Sequence, residues 1–273
     1  MIKIQLLHHD LMPLQRLQHL HRQRHHSAYT RMLYHRMDCL ITTTRAAAAF
    51  LDREARVIPL GIDPNTFQPA VNRDEAWRAM GLPGKRGIGI FGRVRPQKGT
   101  EEFVDALCQI LPKRPDWTGC VIGETTPAFM GFQRLLESRI EKAGLAGRVQ
   151  FIGKVEDFRE IPLWYQAMSV VAVPSKVEGF GLTCLEAMAS ECGVIATETG
   201  VFPDIINAGE NGWIVPCNDS SALAKRMAEA TAAGCPLEKI GKRARKRVLD
   251  GFTIMNTAQL TAEVYDNLID QQN

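Results

Sequence analysis

Short runs of apolar residues alternate with amphipathic stretches from about residue 73 onward. Such runs, bounded by Gly or Pro, predict buried strands, and apolar positions spaced three and four residues apart predict helices. The predicted strands are 87–92, 118–123, 149–153, 169–173, 193–197 and 212–215, and the predicted helices include 101–111, 129–144, 221–233 and 257–270. This alternation indicates an α/β fold with a doubly wound parallel sheet, which binds ligands at the carboxyl ends of its strands.

The first 70 residues predict a smaller unit. Two strands are expected at 38–44 and 56–63, with a helix at 45–52 and a proline-containing linker after them. Residues 1–30 match no element that we assign, and we expect the opening strands of a full domain to be absent. Because two strands and two helices cannot bury a core of their own, this segment is predicted to be the remnant of a larger domain.

All seven histidines lie within the first 35 residues, among several arginines. The pattern over 10–37 is compatible with a helix. A histidine-rich stretch can bind metal, and a basic helix can bind an anionic membrane. Since no apolar face is sustained along this stretch, we favour a solvated helix.

Bulk composition narrows the class of protein. The chain has 273 residues, of which 45% are hydrophobic and 23% charged, as in ordinary soluble proteins. A net charge of +3 does not by itself indicate a nucleic-acid partner. Seven scattered cysteines without C-x-x-C spacing argue against a disulfide framework or zinc site and fit a reducing cytosol. Neither an apolar run of roughly 18 residues nor a signal-peptide core is present, so a cytoplasmic protein is expected.

The stretch 174–189 has the features of an anion site. A loop with Gly179 and Gly181 follows the strand 169–173, and a helix is predicted to start near Thr183. Such an arrangement points free backbone N–H groups at a ligand. The structural alternative is that both glycines serve only a tight turn.

Two carboxylates bracket this loop. Glu178 has no helix to cap, and its place at the carboxyl end of a strand favours a functional role. Glu186 leaves two interpretations open, because Thr183-x-x-Glu186 is also a capping box in which the carboxylate only returns to the Thr183 N–H.

A second candidate loop follows the strand 87–92. It carries Arg93 and Lys98, and a helix is predicted to open at Thr100. The glycine spacing fits neither a Rossmann fingerprint nor a P-loop. Two cations beside a helix N-terminus suit a diphosphate, since Arg offers a planar fork and Lys a point charge. The alternative is a solvated basic loop, which the glycines that flank the two cations make less attractive.

Further turns lie on the same edge of the sheet. The strand 149–153 ends at Gly153, and the backbone from there to Val155 could hold a nucleobase or be a plain strand end. Asp204 is explained as well by an acid at a helix N-terminus as by a functional role.

Together, these motifs resemble glycosyltransferase family 4, whose members are retaining enzymes of the GT-B fold. The resemblance covers about residues 38–270, and within the family 36–38 and 57–63 are most similar to bacterial lipopolysaccharide-core mannosyltransferases. The motifs that carry it are Gly92-Arg93-x4-Lys98-Gly99, Glu178-Gly179-Phe180-Gly181-Leu182-x3-Glu186-Ala187-Met188-Ala189, Gly200-x2-Pro203-Asp204 and the segment 210–216.

The resemblance implies a role for each matched residue. Arg93 and Lys98 would bind the donor's diphosphate, Glu178 would contact the transferred sugar, and these three are the expected catalytic residues. Glu186 would accept the ribose hydroxyls, which we favour over the capping box. The remaining donor-binding residues that it implies are Gly92, Gly153, Val155, Gly179, Phe180, Gly181, Leu182 and Thr183.

The resemblance also implies an activity. A sugar, mannose by this resemblance, would pass from a nucleotide-sugar donor such as GDP-mannose to a lipopolysaccharide-core or lipid-linked saccharide acceptor, with retention of configuration. Neither a cofactor nor a metal is expected, because Arg, Lys and a helix dipole would neutralise the diphosphate. The expected location is the cytoplasm, with peripheral association at the inner membrane, and no nucleic-acid partner is expected.

Three segments follow from the resemblance. Residues 1–70 would be the remnant of the N-terminal acceptor-side domain and a linker, 71–250 the nucleotide-sugar-binding domain, and 251–273 the C-terminal crossover helix. The first domain is shorter than the family's pattern. An alternative function is therefore a truncated, inactive chain that binds a nucleotide sugar or assembles with a partner.

Overall fold

A computed structural model of the chain describes residues 4–7, 32, 35–49 and 51–271. Its strands form two parallel sheets, one of three strands and one of six. In chain order the strands are β1 (Ile4–Leu7), β2 (Cys39–Thr42), β3 (Arg56–Val57), β4 (Arg86–Phe91), β5 (Trp117–Ile122), β6 (Val149–Gly153), β7 (Met168–Val173), β8 (Gly193–Thr197) and β9 (Trp213–Val215).

The larger sheet confirms the six predicted strands, and each observed end lies within one residue of the prediction. Its strand order is β6-β5-β4-β7-β8-β9, so the chain builds outward from β4 in one direction and from β7 in the other. In open parallel sheets the crevice at such a switch point is where ligands bind. The loops after β4 and β7 are the two that carry the predicted cations and carboxylates.

Helices connect these strands, and their ends follow local signals. The Asn72 side chain accepts hydrogen bonds from the N–H groups of Asp74 and Glu75, and Thr253 forms a reciprocal capping box with Asn256. The helices are α1 (Arg45–Ala48), α2 (Arg73–Ala79), α3 (Thr100–Ile110), α4 (Met130–Lys142), α5 (Ile161–Ala167), α6 (Leu182–Ala189), α7 (Phe202–Ile205), α8 (Ser220–Ala230), α9 (Leu237–Gly251) and α10 (Ile254–Asp270).

Both faces of the larger sheet are covered by helices and buried in apolar clusters. Along β7, Val170 and Ala172 belong to one cluster, and Met168, Val171 and Val173 belong to the other. Alternation of side chains between two covered faces explains why this strand is apolar throughout. The sheet therefore forms a rigid platform beneath the loops at its carboxyl edge.

The smaller sheet corrects the prediction for the start of the chain. Strand β1 pairs in parallel with β2, from Ile4 opposite Cys39 to Leu7 opposite Thr42, although we expected the opening strands to be absent. A four-residue run without turn residues beside it gives too weak a pattern to identify. Strand β3 is shorter than predicted; Pro59, which has no N–H group to donate, follows soon after it.

Helix α10 packs against the smaller sheet, where Val264 contacts a cluster that contains Ile41 and Ile58. The sheets are joined by the linker between β3 and α2 and by the turn between α9 and α10. These two connections meet where Ile62 N–H donates to Phe252 O at 3.0 Å and Ile254 N–H donates to Ile62 O at 3.0 Å. Helix α10 thus packs on the smaller sheet through Val264. The predicted segments 1–70, 71–250 and 251–273 stay a prediction.

Three further expectations from the sequence concern the segment 10–37, the cysteines and membrane-spanning helices. The predicted helix over 10–37 lies almost entirely outside the described residues. All seven cysteines are free thiols. Across residues 4–7, 32, 35–49 and 51–271, no helix combines the length and hydrophobicity that spanning a bilayer requires.

Candidate functional site

The loop after β4 lies directly against the end of β7. Arg93 is exposed, a short 3-10 turn spans Pro96–Lys98, and Gly99 precedes α3. A Cβ atom at Gly99 would lie 2.0 Å from the carbonyl oxygen of Pro174, so the two loops approach too closely for any larger residue. This contact brings Lys98 to the loop that follows β7.

Lys98 and Glu178 form an ion pair across the two loops. Lys98 Nζ donates to Glu178 Oε2 at 2.7 Å, and the two side chains are 21% and 13% exposed. The Ser175 hydroxyl donates to the same carboxylate oxygen at 3.1 Å. Among the described residues nothing donates to Glu178 Oε1, which leaves that oxygen for a ligand.

A second layer of contacts fixes the β7 loop. Thr197 Oγ1 donates to the Ser175 carbonyl at 2.6 Å, and the Lys176 N–H donates to the Gln97 carbonyl at 2.9 Å. Lys176 Nζ pairs with Glu102 at 2.7 Å, with both side chains largely buried. The loop is therefore held on both sides, and Glu178 is held in a defined position.

Gly181 ends this loop as the N-cap of α6. Its φ angle is +100°, in the left-handed region, and an added Cβ would lie 2.2 Å from the Phe202 ring and 3.1 Å from Glu178 Cγ. The turn therefore requires glycine both for its backbone conformation and for the space.

We expect Gly181→Ala to lower the free energy of unfolding by about 1–3 kcal/mol, because strain and overlap add. Denaturant unfolding measures the loss. Gly209→Ala is the matched control, since Gly209 also has a positive φ of +83°, but a Cβ added there would meet no atom within 4 Å. Equal losses in the two variants would contradict the close contact with Phe202.

The capping-box interpretation of Glu186 is wrong. Helix α6 begins at Leu182, so Glu186 is the fifth helical residue instead of the third, and no side chain caps the helix. Its carboxylate instead accepts a hydrogen bond from the Tyr165 hydroxyl, 2.7 Å from Oε2. The first amides of α6 are thus left without a side-chain cap, as an anion site would require.

Burial and hydrogen bonding act on Glu186 in opposite directions. Removal from water raises its pKa above the usual value, while the hydrogen bond from Tyr165 lowers it. No described residue donates to Oε1. Like Glu178, Glu186 therefore keeps one oxygen available for a hydroxyl donor.

A cavity of about 270 Å³ opens at the carboxyl edge beside these residues. Five of the predicted residues line it, and they come from the ends of β4 and β6 and from α6: Gly92, Arg93, Val155, Thr183 and Glu186. The pair formed by Lys98 and Glu178 adjoins it, because a Cβ atom on Gly92 would lie 3.7 Å from Lys98 Cε.

The other predicted residues lie around this cavity without lining it. Gly153 ends β6 and accepts from the Gly123 N–H at 2.9 Å, whereas Phe180 is buried and Leu182 is 39% exposed. Gly179 and Gly181 lie in the loop between Glu178 and α6. The predicted set is thus gathered at one edge of the sheet.

Sequence reasoning missed Tyr165, Ser175, Lys176 and Glu102. Tyr165 lies in an apolar helical pattern, where an aromatic residue predicts core packing, and only its contact with Glu186 reveals more. Ser175 and Lys176 lie inside the candidate stretch 174–189, but Lys176 pairs with a residue distant in the chain and Ser175 acts only through Glu178.

Among the described residues, no group of three or more His, Cys, Asp and Glu side chains could hold a metal ion. The expectation of a metal-free site stays a prediction.

Comparison with known proteins identifies relatives. The family described as "Glycosyl transferases group 1" matches residues 73–247. Lipopolysaccharide core biosynthesis mannosyltransferase LpcC from Rhizobium leguminosarum bv. viciae is 37% identical over 268 residues, which are 98% of this chain and 75% of LpcC. The corresponding enzyme LpsB from Rhizobium meliloti is 40% identical over 250 residues, 90% of this chain and 70% of LpsB.

A solved structure extends the likeness to the fold. The C-terminal domain of the group 1 family protein LpcC from Francisella tularensis superposes with a TM-score of 0.69 at 44% identity, covering 71% of this chain and all of that domain. This likeness, together with the two parallel sheets and the crossover helix, confirms the predicted GT-B-like α/β fold. The chain belongs to the group 1 glycosyltransferases.

Proposed function

We propose that the chain transfers mannose from GDP-mannose to a lipopolysaccharide-core or lipid-linked saccharide acceptor, with retention of anomeric configuration. The observation that carries this proposal is the meeting of Arg93, Lys98, Glu178 and Glu186 at one switch point, where each carboxylate keeps a free oxygen. The names of LpcC and LpsB support mannose and the lipopolysaccharide core.

The two cations and α6 account for leaving-group stabilisation. Negative charge grows on the nucleoside diphosphate as the sugar leaves, and Arg93 is exposed at the cavity to bind it. Lys98 adds a second charge from beside Gly92, and the uncapped amides of α6 add a helix dipole. These groups supply the neutralisation that a metal ion would otherwise provide.

The two carboxylates would contact different parts of the donor. Glu178, held by Lys98 and Ser175, would accept hydroxyls of the transferred sugar through Oε1. Glu186 would accept the ribose hydroxyls within the cavity, and the backbone at Val155 would face the base. Attack from the face that the diphosphate leaves would retain configuration, with the departing phosphate accepting the acceptor's proton.

A lipid-linked acceptor would place the enzyme at the cytoplasmic face of the inner membrane, as a peripheral protein. This location is part of the proposal.

A second candidate function is binding of a nucleotide sugar, or assembly with a partner, without turnover. The small size of the first sheet within the described residues favours it, since the apolar cluster there contains three buried residues. In the GT-B fold the acceptor binds on that side. A chain that binds the acceptor poorly would therefore still bind the nucleotide sugar.

Calorimetric titration tests the donor assignment. In buffer with a chelator, the purified chain should bind GDP-mannose saturably and more tightly than UDP-glucose, with free GDP as a reference. No binding of any of the three to a folded sample would contradict the proposed function. Preference for UDP-glucose would overturn the choice of donor alone.

Turnover separates the two candidate functions. Incubation with GDP-mannose and a lipopolysaccharide-core acceptor should release GDP and form an α-linked product, whose anomeric configuration NMR determines. Binding without GDP release would favour the second candidate.

A further inference from the structure

Tyr165 lies beneath the candidate donor cavity and is held rigidly. It is 1% exposed, its ring stacks on Phe91 with a centroid distance of 3.9 Å, and it makes a T-shaped contact with the Phe67 ring at a centroid distance of 5.7 Å. Two ring contacts in different directions leave the phenol with one orientation. Its hydroxyl therefore has a fixed position in the molecule.

That fixed hydroxyl donates to Glu186 Oε2 at 2.7 Å. Phenylalanine would fill the same space and make the same ring contacts, so packing alone does not explain a tyrosine at this place. What the hydroxyl adds is a donor that holds one carboxylate oxygen of Glu186, a residue that lines the cavity, and leaves the other oxygen without a donor among the described residues.

We propose that Tyr165 is a positioning residue for the donor, which holds Glu186 through Oε2 so that Oε1 accepts the ribose hydroxyls of a nucleotide sugar. This inference rests on the proposed function of the cavity. Tyr165 acts through Glu186 and contacts no part of the reacting bond.

The electrostatics of the cavity agree with this role. Burial raises the pKa of Glu186, and the Tyr165 hydrogen bond is what lowers it. The pKa of Tyr165 itself is raised well above its usual value, mainly by burial and then by Glu186, so the phenol stays protonated and can donate. Removing the hydroxyl would leave the effect of burial unopposed, and Glu186 would take up a proton at higher pH.

Other groups face the same space. Arg93, Lys154 and Glu124 line the cavity from the ends of β4, β6 and β5. Thr183 interacts with the Tyr165 hydroxyl, and the Cys192 thiol donates to the Tyr165 backbone carbonyl at 3.2 Å. All of these are retained when only the phenol oxygen is removed, so a change in pH dependence would come from the contact between Tyr165 and Glu186.

The test compares Tyr165→Phe with the wild-type protein in calorimetric titrations with GDP-mannose from about pH 5 to pH 8, a range that extends upward from the usual pKa of a glutamate carboxyl. The diphosphate of a nucleotide sugar stays ionised across this range, so the protein dominates the pH dependence. We expect affinity near neutral pH to fall about fivefold to tenfold, and the acid loss of affinity to begin at higher pH. In the transfer assay KM should rise while kcat stays close to that of the wild type.

Tyr265→Phe is the matched control, because Tyr265 is 47% exposed on α10 and its hydroxyl makes no hydrogen bond with the described residues. Carboxyl NMR titration of the ligand-free protein, with Glu186→Gln for assignment, follows Glu186 directly and should show a higher pKa in Tyr165→Phe.

An unchanged Glu186 titration and an unchanged pH profile of binding, with only a lower melting temperature, would overturn the inference and leave the proposed function standing. If the wild-type protein binds no nucleotide sugar, the proposed function fails, and the donor role of Tyr165 fails with it.

Discussion

Lys98→Ala is expected to lower kcat/KM for sugar transfer by about a thousandfold, while the far-ultraviolet circular dichroism spectrum stays that of the wild type. The variant removes a fixed positive charge from the site where the diphosphate would leave, and such preorganised groups are worth a factor of about 10² to 10³ each. It also frees Glu178, which Lys98 holds at 2.7 Å. Loss of the cation beside the leaving group and misplacement of the carboxylate should therefore both lower kcat/KM.

Initial-rate measurements with varied donor concentration give kcat and KM separately. Lys85→Ala is the control, because Lys85 pairs with Asp116 at 3.2 Å on the surface with 75% of its side chain exposed. Glu178→Ala should also remove transfer. Near-normal activity of either site variant would contradict the assignment of catalytic residues.

The ion pair between Lys98 and Glu178 should also affect stability, and this effect can be measured separately from activity. Lys98→Ala leaves a partly buried carboxylate without its cation, which is expected to cost about 1–3 kcal/mol. Replacing both residues by apolar ones, as Lys98→Met with Glu178→Leu, should recover much of that stability without activity. Denaturant unfolding of Lys98→Met, Glu178→Leu and the double variant measures the interaction energy between the two side chains.

Glu186→Gln is expected to weaken binding of GDP-mannose by about tenfold to a hundredfold, since a charged acceptor of the ribose hydroxyls becomes neutral. In contrast, the free energy of unfolding near neutral pH should stay the same or rise. A largely buried carboxylate that must stay ionised is a cost to the folded state, and glutamine avoids that cost while it can still accept from Tyr165.

The direction of this change in the free energy of unfolding follows from the raised pKa of Glu186 in the folded protein. A group whose pKa is higher in the folded than in the unfolded state stabilises the fold fully below its unfolded pKa, and this contribution is lost as pH rises through the folded pKa. Glutamine does not titrate, so the stability of Glu186→Gln relative to the wild type should increase from acid to neutral pH. Denaturant unfolding at several pH values, with the exposed Glu263→Gln as control, measures this. A lower melting temperature with unchanged donor affinity would show that Glu186 has only a structural role.

The platform of the site could be predicted from the sequence because it depends on local patterns. Each strand of the larger sheet is a short, bounded apolar run, and β7 is apolar throughout because both of its faces are covered. The loops after β4 and β7 were correctly placed at one edge, since parallel strands separated by helices end on the same side.

What could not be predicted depends on contacts between distant parts of the chain. Glu186 matched a capping box by spacing, but the position of Gly181 as N-cap shifts the helix start, and Tyr165 provides the carboxylate with another partner. Strand β1 was missed because its evidence is its pairing with β2, more than 30 residues later. The pairing of Lys98 with Glu178 was likewise invisible, although both residues are candidates by sequence.

The meeting of the two connections at Ile62 has a mechanical consequence. The chain passes between the two sheets twice, but both passages are joined by hydrogen bonds at one place, where a Cβ on Gly61 would lie 2.1 Å from the Thr253 backbone. Arg245 anchors the linker next to it, with its guanidinium donating to the carbonyls of Phe67 and Pro64. Among the described residues these contacts join the two connections, so a change in the angle between the sheets is expected to turn about this place, with the smaller sheet moving as a unit and the distances among the donor loops unchanged.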